Sequence, residues 1–327
     1  VTAATKEQDA KFKAQDSNTA FLVDEVIDYI SGTHTVDELA KPWFVHLSTL
    51  SPHPPFIAPE PYHAICDAES VATPVRRATI EDEAGQHPWL QHYLFNQIGA
   101  GITVGATARD NLSRSDRDLR QIKATYFGMI AEVDAQIGRL IDFLKQSGDY
   151  DDTLIIFTSD HGEFLGDHWM FGKFSYQEQT FHVPLIIRDP APEARRADGR
   201  VVDAFTESID IMPTVLEWIG QPAPAQCDGS SLNAFFRGKS PENWRQEYYA
   251  EFDMRCTWGN RPGEPLGLRG DQCMIRVLRG QRYKYVHFAD QPCLFFDLNE
   301  DPGEFRNLID DPAHRQRVAE FAGRALA

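Results

Sequence analysis

The sequence predicts an α/β layered fold followed by a small antiparallel β subdomain, and three patterns carry that prediction. Two short runs, at residues 153–158 and 183–187, are apolar with no polar alternation. That is the habit of strands buried on both faces, in a parallel sheet covered by helices. Ahead of them, Ile122, Tyr126, Met129, Val133, Ile137, Leu140, Ile141 and Leu144 recur every three or four positions, which is helical spacing. Towards the C-terminus, four short apolar segments follow one another too closely for crossover helices, so they pair antiparallel.

In chain order, Asp16, Ser17, Asn18 and Thr19 form a capping cluster before Phe21, Leu22, Val23, Val26, Ile27 and Ile30. An amphipathic helix ending near Gly32 follows from that spacing. Residues 43–50 (WFVHLSTL) are aromatic and β-branched and read as a strand running into the Pro-dense loop 51–61. From 66 to 118 the periodicity weakens, and this stretch reads as an excursion from the core carrying a helix at 87–98. The long helix ends at Gly148, a turn covers 149–152, and a helix at 209–219 follows the second apolar run. Residues 220–241 hold several Pro and Gly and form a linker. The four antiparallel strands lie near 247–252, 274–278, 283–288 and 294–298, and a helix at about 313–326 covers them. The expected domains are 1–240 for the α/β part and 241–327 for the sheet plus helix.

Composition excludes several functions. The chain of 327 residues has 32 Lys+Arg against 49 Asp+Glu, a formal charge of −17. Such a chain repels a phosphate backbone, so no nucleic-acid partner is expected. Five cysteines without a CxxC fit neither a disulfide framework nor a structural zinc site. No apolar run approaches the roughly 20 residues of a membrane span. The first 17 residues are polar and lack the pattern of a signal peptide.

The chemistry concentrates in residues 158–173, TSDHGEFLGDHWMFGK. Asp160, His161 and Gly162 come directly after an apolar strand, and ligands in open α/β sheets collect beyond the carboxyl ends of strands. Asp160 and His161 offer a carboxylate oxygen and an imidazole nitrogen able to hold a divalent cation, and Gly162 permits a sharp turn. As a bare pair they are more often a turn or capping feature. The wider pattern is more specific. Lys173 stands thirteen residues beyond Asp160, and Ser51-Pro52-His53 lies far upstream within LSTLSPHPPF at 47–56. QHPWLQHY (86–93), ATYFGMIAEVDAQIGRL (124–140), FHVPLIIRDP (181–190), ESIDIMPTVLEWIG (207–220) and LFFDLNEDPGEFRNL (294–308) follow in order. Together these segments resemble the sulfatase branch of the alkaline phosphatase superfamily, most closely the phosphonate monoester hydrolases and arylsulfatases.

The resemblance implies an alkaline-phosphatase-like α/β sandwich and hydrolysis of anionic sulfate, phosphate or phosphonate esters. It implies Asp160 and His161 as ligands of one divalent metal ion (Mn, Ca or Zn), and Lys173 and His53 as groups contacting the ester and leaving-group oxygens. Glu163, His168 and His182 would serve as surrounding polar groups that orient the loop. Glu163 and Asp167 are expected to serve the loop's own hydrogen bonds rather than the metal, Asp134 to lie on the solvated face of the long helix, and Trp169 and Phe171 to pack in the core rather than line the substrate mouth. The family also carries a strand ending in acidic metal ligands and a nucleophile in C-x-P-x-R or S-x-P-x-R, usually converted to formylglycine. None of the five cysteines is followed by that pattern. The chain is therefore expected to be the C-terminal part of such a protein, incomplete at the N-terminus and inactive alone. Its expected partner is a second copy or the missing N-terminal segment. A cytoplasmic location is expected, with room for a signal peptide in the missing portion. Two other functions compete: a two-zinc phosphodiesterase of the same superfamily, and a non-catalytic domain binding an anionic ligand or partner.

Overall fold

In a computed structural model of the chain, residues 13–32, 42–96, 114–254 and 266–326 are described. The chain divides into two compact units, one of residues 1–76, 94–152 and 164–172, the other of residues 77–93, 153–163 and 173–327.

The first unit is built on two helices, α1 (Asn18–Ser31) and α4 (Asp116–Ser147). Ser17 caps α1 by accepting the Ala20 N–H, and Gly32 closes it in the left-handed region at φ 73°. Ser115 and Asp118 form a reciprocal capping box at the start of α4, and Gly148 ends it at φ 91°. The apolar spacing read from the sequence turns Ile122, Met129, Val133 and Leu144 inward, while Asp134 is exposed. Phe56, Ala58, Leu119, Ile122, Met129, Leu165 and Phe171 form the core of this unit, with Tyr62 and Tyr126 packed against it. Gly128 permits the close approach of Tyr62, whose carbonyl oxygen lies 2.3 Å from where a Cβ would stand. Residues 43–50 do not form the strand expected of them. They are irregular, with Trp43, Val45, Leu47 and Thr49 half-buried and Phe44, His46, Ser48 and Leu50 exposed. The two-residue alternation of a strand is present, and no hydrogen-bonded ladder accompanies it among the described residues.

The second unit contains α2 (Ile80–Ala84) and the start of α3 (Pro88–Asn96), of which Trp89, Leu90 and Tyr93 are buried. Positions 97 and 98 of the expected helix lie outside the described residues. Strands β1 (Ile155–Thr158) and β2 (Leu185–Arg188) correspond to the two apolar runs. They pair antiparallel, in the register Phe157↔Ile186, and both of those side chains are exposed, at 38% and 63%. The expectation of a parallel pair buried on both faces is thus corrected. Apolar content reports a strand's affinity for a core, whereas direction is set by which neighbour it pairs with.

Between β1 and β2 lies the four-residue helix α5 (Glu178–Phe181), and after β2 come α6 (Ile211–Trp218) and α7 (Asn233–Phe236). The last part is an antiparallel meander of β3 (Glu247–Asp253), β4 (Met274–Gly280), β5 (Tyr283–Phe288) and β6 (Leu294–Asp297). Helix α8 (Arg315–Ala325) covers one face, where Leu278, Tyr285, Phe295, Leu308, Phe321 and Ala325 form a core. The opposite face takes Tyr176, stacked on Phe296 at 6.2 Å and edge-on to Phe288 at 6.1 Å. Buried on both faces, β6 has no exposed residue. The four strands and terminal helix are those the sequence predicts.

Candidate active site

The site is assembled where β1 ends. Thr158 Oγ1 donates to the Pro184 carbonyl at 2.9 Å, and Ser159 Oγ donates to the His161 carbonyl at 2.8 Å, so the chain leaves the strand in a fixed turn. Within that turn, the His161 backbone N–H donates to Asp160 Oδ1 at 3.0 Å, and the second oxygen, Oδ2, stands 3.3 Å from His161 Nε2. His161 Nδ1 lies 2.8 Å from the Gly162 carbonyl. A carbonyl can only accept, so Nδ1 carries a proton and Nε2 is the ring nitrogen turned towards Asp160 and Lys173. Lys173 Nζ contacts the same Nε2. The Asp160 side chain is 83% exposed, whereas that of His161 is 26% exposed.

Gly162 is required by its neighbours. A Cβ there would stand 1.9 Å from the Gln179 carbonyl oxygen, and the Gly162 N–H donates to the Thr180 carbonyl at 2.9 Å. The carbonyls of α5 therefore form the floor under the turn.

The structure brings Asp160, His161 and Lys173 together. Glu163 is half-buried, and its charge adds to burial in pushing the Tyr93 phenol far above its ordinary range, against a backbone hydrogen bond at Phe174. His182 is exposed just after α5, its N–H donating to the Glu178 carbonyl at 2.9 Å. His168 and His53 belong to the first unit. His168 is 1% exposed at φ 52°, with its N–H on the Val75 carbonyl at 2.8 Å and its ring edge-on to Phe164. In the same unit Asp167 accepts the Val75 N–H at 3.1 Å and Lys123 Nζ at 2.9 Å, so its carboxylate ties the loop to two other segments. Phe171 is buried in the core, and Trp169 lies under the Arg76 guanidinium at 3.7 Å. His53 is exposed, with Nδ1 2.7 Å from the Pro54 carbonyl.

The donor set suits a divalent cation. A carboxylate and an imidazole converge, and the imidazole's other nitrogen is committed to a backbone carbonyl, the arrangement that fixes metal-binding histidines. Among the described residues no group of three or more His, Cys, Asp and Glu is arranged to hold a metal ion.

Sequence reasoning missed Tyr93 and a buried charge network behind α5. Lys284 Nζ is bonded to Glu304 at 3.0 Å and lies 3.4 Å from Glu178 Oε1. Glu178 also accepts the Tyr248 hydroxyl at 3.1 Å and faces Arg279 at 3.5 Å. Burial raises the Glu178 carboxyl, but Lys284 and Arg279 outweigh it and hold the group below the ordinary carboxylate range. Tyr93 and Glu304 each sit inside a segment singled out in the sequence, QHPWLQHY and LFFDLNEDPGEFRNL. Their partners are remote in sequence, so local pattern carries no sign of the pairing.

A family model described as Sulfatase matches residues 3–221, and one described as N-sulphoglucosamine sulphohydrolase, C-terminal, matches residues 166–326. The chain is 42% identical over 311 residues to the multifunctional alkaline phosphatase superfamily protein PehA of Trinickia caryophylli, across 95% of this chain and 59% of that protein. It is 28% identical over 302 residues to an arylsulfatase of Clostridium perfringens, across 92% of this chain and 55% of that protein. Among solved structures, the phosphonate monoester hydrolase of Agrobacterium radiobacter matches with a TM-score of 0.91 and 38% identity, over 99% of this chain and 62% of that chain. The phosphonate monoester hydrolase of Silicibacter pomeroyi matches with a TM-score of 0.86 and 37% identity, over 97% of this chain and 61% of that one. This chain thus spans less than two thirds of the length of each of these four proteins. Their names are those of ester hydrolases and of the superfamily that the motifs resemble, and the α/β fold expected from the sequence is the one the solved structures share. On the match from residue 3 to residue 221 and the 42% identity across 95% of its length, the chain belongs to the sulfatase family of the alkaline phosphatase superfamily.

Proposed function

We propose that this chain forms one side of the active site of a metal-dependent hydrolase of sulfate, phosphate or phosphonate esters. The observation that carries the proposal is the convergence of the Asp160 carboxylate, the His161 imidazole Nε2 and the Lys173 side-chain nitrogen at the end of β1. Asp160 and His161 would hold one divalent cation, Mn, Ca or Zn, which when bound polarises an ester oxygen. Lys173 sets its side-chain nitrogen beside the turn, where it would neutralise charge growing on the departing oxygen. The family resemblance alone assigns His53 the proton for that oxygen; within its own unit its Nδ1 lies on the Pro54 carbonyl, which leaves Nε2 as its exchanging nitrogen. Attraction of an anionic ester is local, because the chain as a whole carries −17. The nucleophile and the other metal ligands are assigned to the part of the relatives outside the match, so residues 1–327 alone are expected not to turn over.

Metal analysis and steady-state kinetics of the protein carrying this chain test the proposal. One divalent ion per complete site is expected, lost in Asp160→Asn and His161→Ala. Lys173→Ala should retain the metal and the melting temperature while kcat falls about 100-fold or more. Metal retained in both ligand variants, or equal loss of stability and turnover in Lys173→Ala, would overturn the assignment. Two zinc ions per site would point instead to a two-zinc phosphodiesterase. Metal-dependent turnover of an aryl sulfate or phenyl phosphonate by residues 1–327 alone would overturn the division of the site.

A further inference from the structure

Lys284 is fully buried, with a side-chain exposure of 0%, and its partner Glu304 is almost as deep at 2%. Burying such a pair removes two charges from water, and an apolar pair of similar volume generally serves stability as well or better. Stability alone therefore does not account for the ammonium. Its position does. Glu304 is held at φ 55°, a backbone conformation that a residue with a Cβ rarely adopts. From there its Oε1 accepts both Lys284 Nζ at 3.0 Å and the backbone N–H of Glu178 at 3.3 Å. Glu178 is the first residue of α5, and its own carboxylate is tied to Lys284, Tyr248 and Arg279. The carbonyls of α5 in turn grip Gly162: Thr180 accepts its N–H, and Gln179 fills the space a side chain would need. The Gly162 carbonyl then orients the imidazole of His161.

We propose that Lys284, Glu304 and Glu178 are positioning residues, a buried ionic anchor that fixes α5 and through it aims His161 Nε2 and the Asp160 carboxylate. Each link from the ammonium of β5 to the imidazole is a hydrogen bond or van der Waals contact inside one compact unit. The proposal rests on the preceding reading only in taking the Asp160 and His161 turn as a metal site; the anchoring of α5 stands apart from it.

The test uses the protein carrying this chain. Lys284→Met alone strands the buried carboxylate of Glu304 and is liable to unfold, so the informative variant is Lys284→Met with Glu304→Met, beside the conservative Lys284→Arg. In the double variant the melting temperature should remain near that of the parent. The Gly162 amide should exchange with solvent at least tenfold faster, while amides of the β4 and β5 ladder keep their rates. The affinity for Mn²⁺ should fall about tenfold, the lower end of the range for groups that orient metal ligands. Lys284→Arg should recover a large part of both effects. Unchanged Gly162 exchange in a folded double variant would overturn the anchor, as would Gly162 and ladder amides accelerating together. If instead Gly162 exchange rises as expected but neither the double variant nor His161→Ala changes Mn²⁺ affinity, the anchor stands and the metal assignment fails.

Discussion

His87 shows how a single side chain ties this fold to pH. Its Nδ1 accepts the Trp89 N–H at 3.0 Å and its Nε2 lies 2.7 Å from the Pro292 carbonyl, so it starts α3 and spans to the loop before β6 as a neutral imidazole. Burial lowers its pKa from 6.5 to about 4, against a smaller opposing effect of the Pro292 hydrogen bond. The unfolded chain takes up the proton first as pH falls. The contribution to stability is therefore complete above pH 6.5 and is lost as pH falls to about 4, a change of about 3 kcal/mol. His92 and His287, both lowered by burial, act in the same direction. Urea unfolding at several pH values should show stability falling over this window, with a shallower slope in His87→Asn, which can still cap the helix. A parental slope in that variant would show that His87 does not titrate as described. At this scale the sequence singled out Asp160, His161 and Lys173 by type and spacing, and the fold brings those three side chains together. It hid Lys284, Glu178 and Glu304, since a Lys or Glu reads as surface until its partner, up to 126 residues away, is known.

Among the elements, α1 and α4 are joined by one bond that no local pattern announces. Ser17 caps α1, and its hydroxyl also donates at 2.6 Å to Glu132, which is 2% exposed in the middle of α4. Ser17→Ala should cost about 2–3 kcal/mol, an ordinary cap plus a charge-assisted hydrogen bond to a buried carboxylate. Chemical denaturation measures it, and a loss no larger than the about 1 kcal/mol of a cap would remove the Glu132 bond from the account. The cap itself was legible, as were α4, β3 to β6 and α8, because helical and strand periodicities are local. Strand direction was not. The runs that became β1 and β2 have the composition of strands in a parallel sheet, yet they pair with each other antiparallel, and residues 43–50 keep the strand alternation without a ladder.

For the molecule as a whole, apolar side chains left at the surface predict behaviour in solution. Phe44, Leu50, Phe157 and Ile186 are 77%, 62%, 38% and 63% exposed, and among the described residues β1 and β2 form a sheet of two strands. Sheet edges and apolar faces recruit other strands. Sedimentation velocity of residues 1–327 should show concentration-dependent association, reduced in Ile186→Lys without a change in melting temperature; association unaffected by that variant would exclude the β2 face. The buried ammonium of β5 has a further consequence, for tolerance to insertion and deletion. Successive side chains alternate, so Lys284 faces Glu304 while Tyr283 and Tyr285 face α8. A slip of one position would drive the charge into the cluster of Leu278, Phe295 and Phe321, where it has no carboxylate to meet. The short Gln281-Arg282 connection between β4 and β5 is thus a place where residues can be exchanged but not added singly, and Lys284 serves as a key that admits one alignment of the sheet.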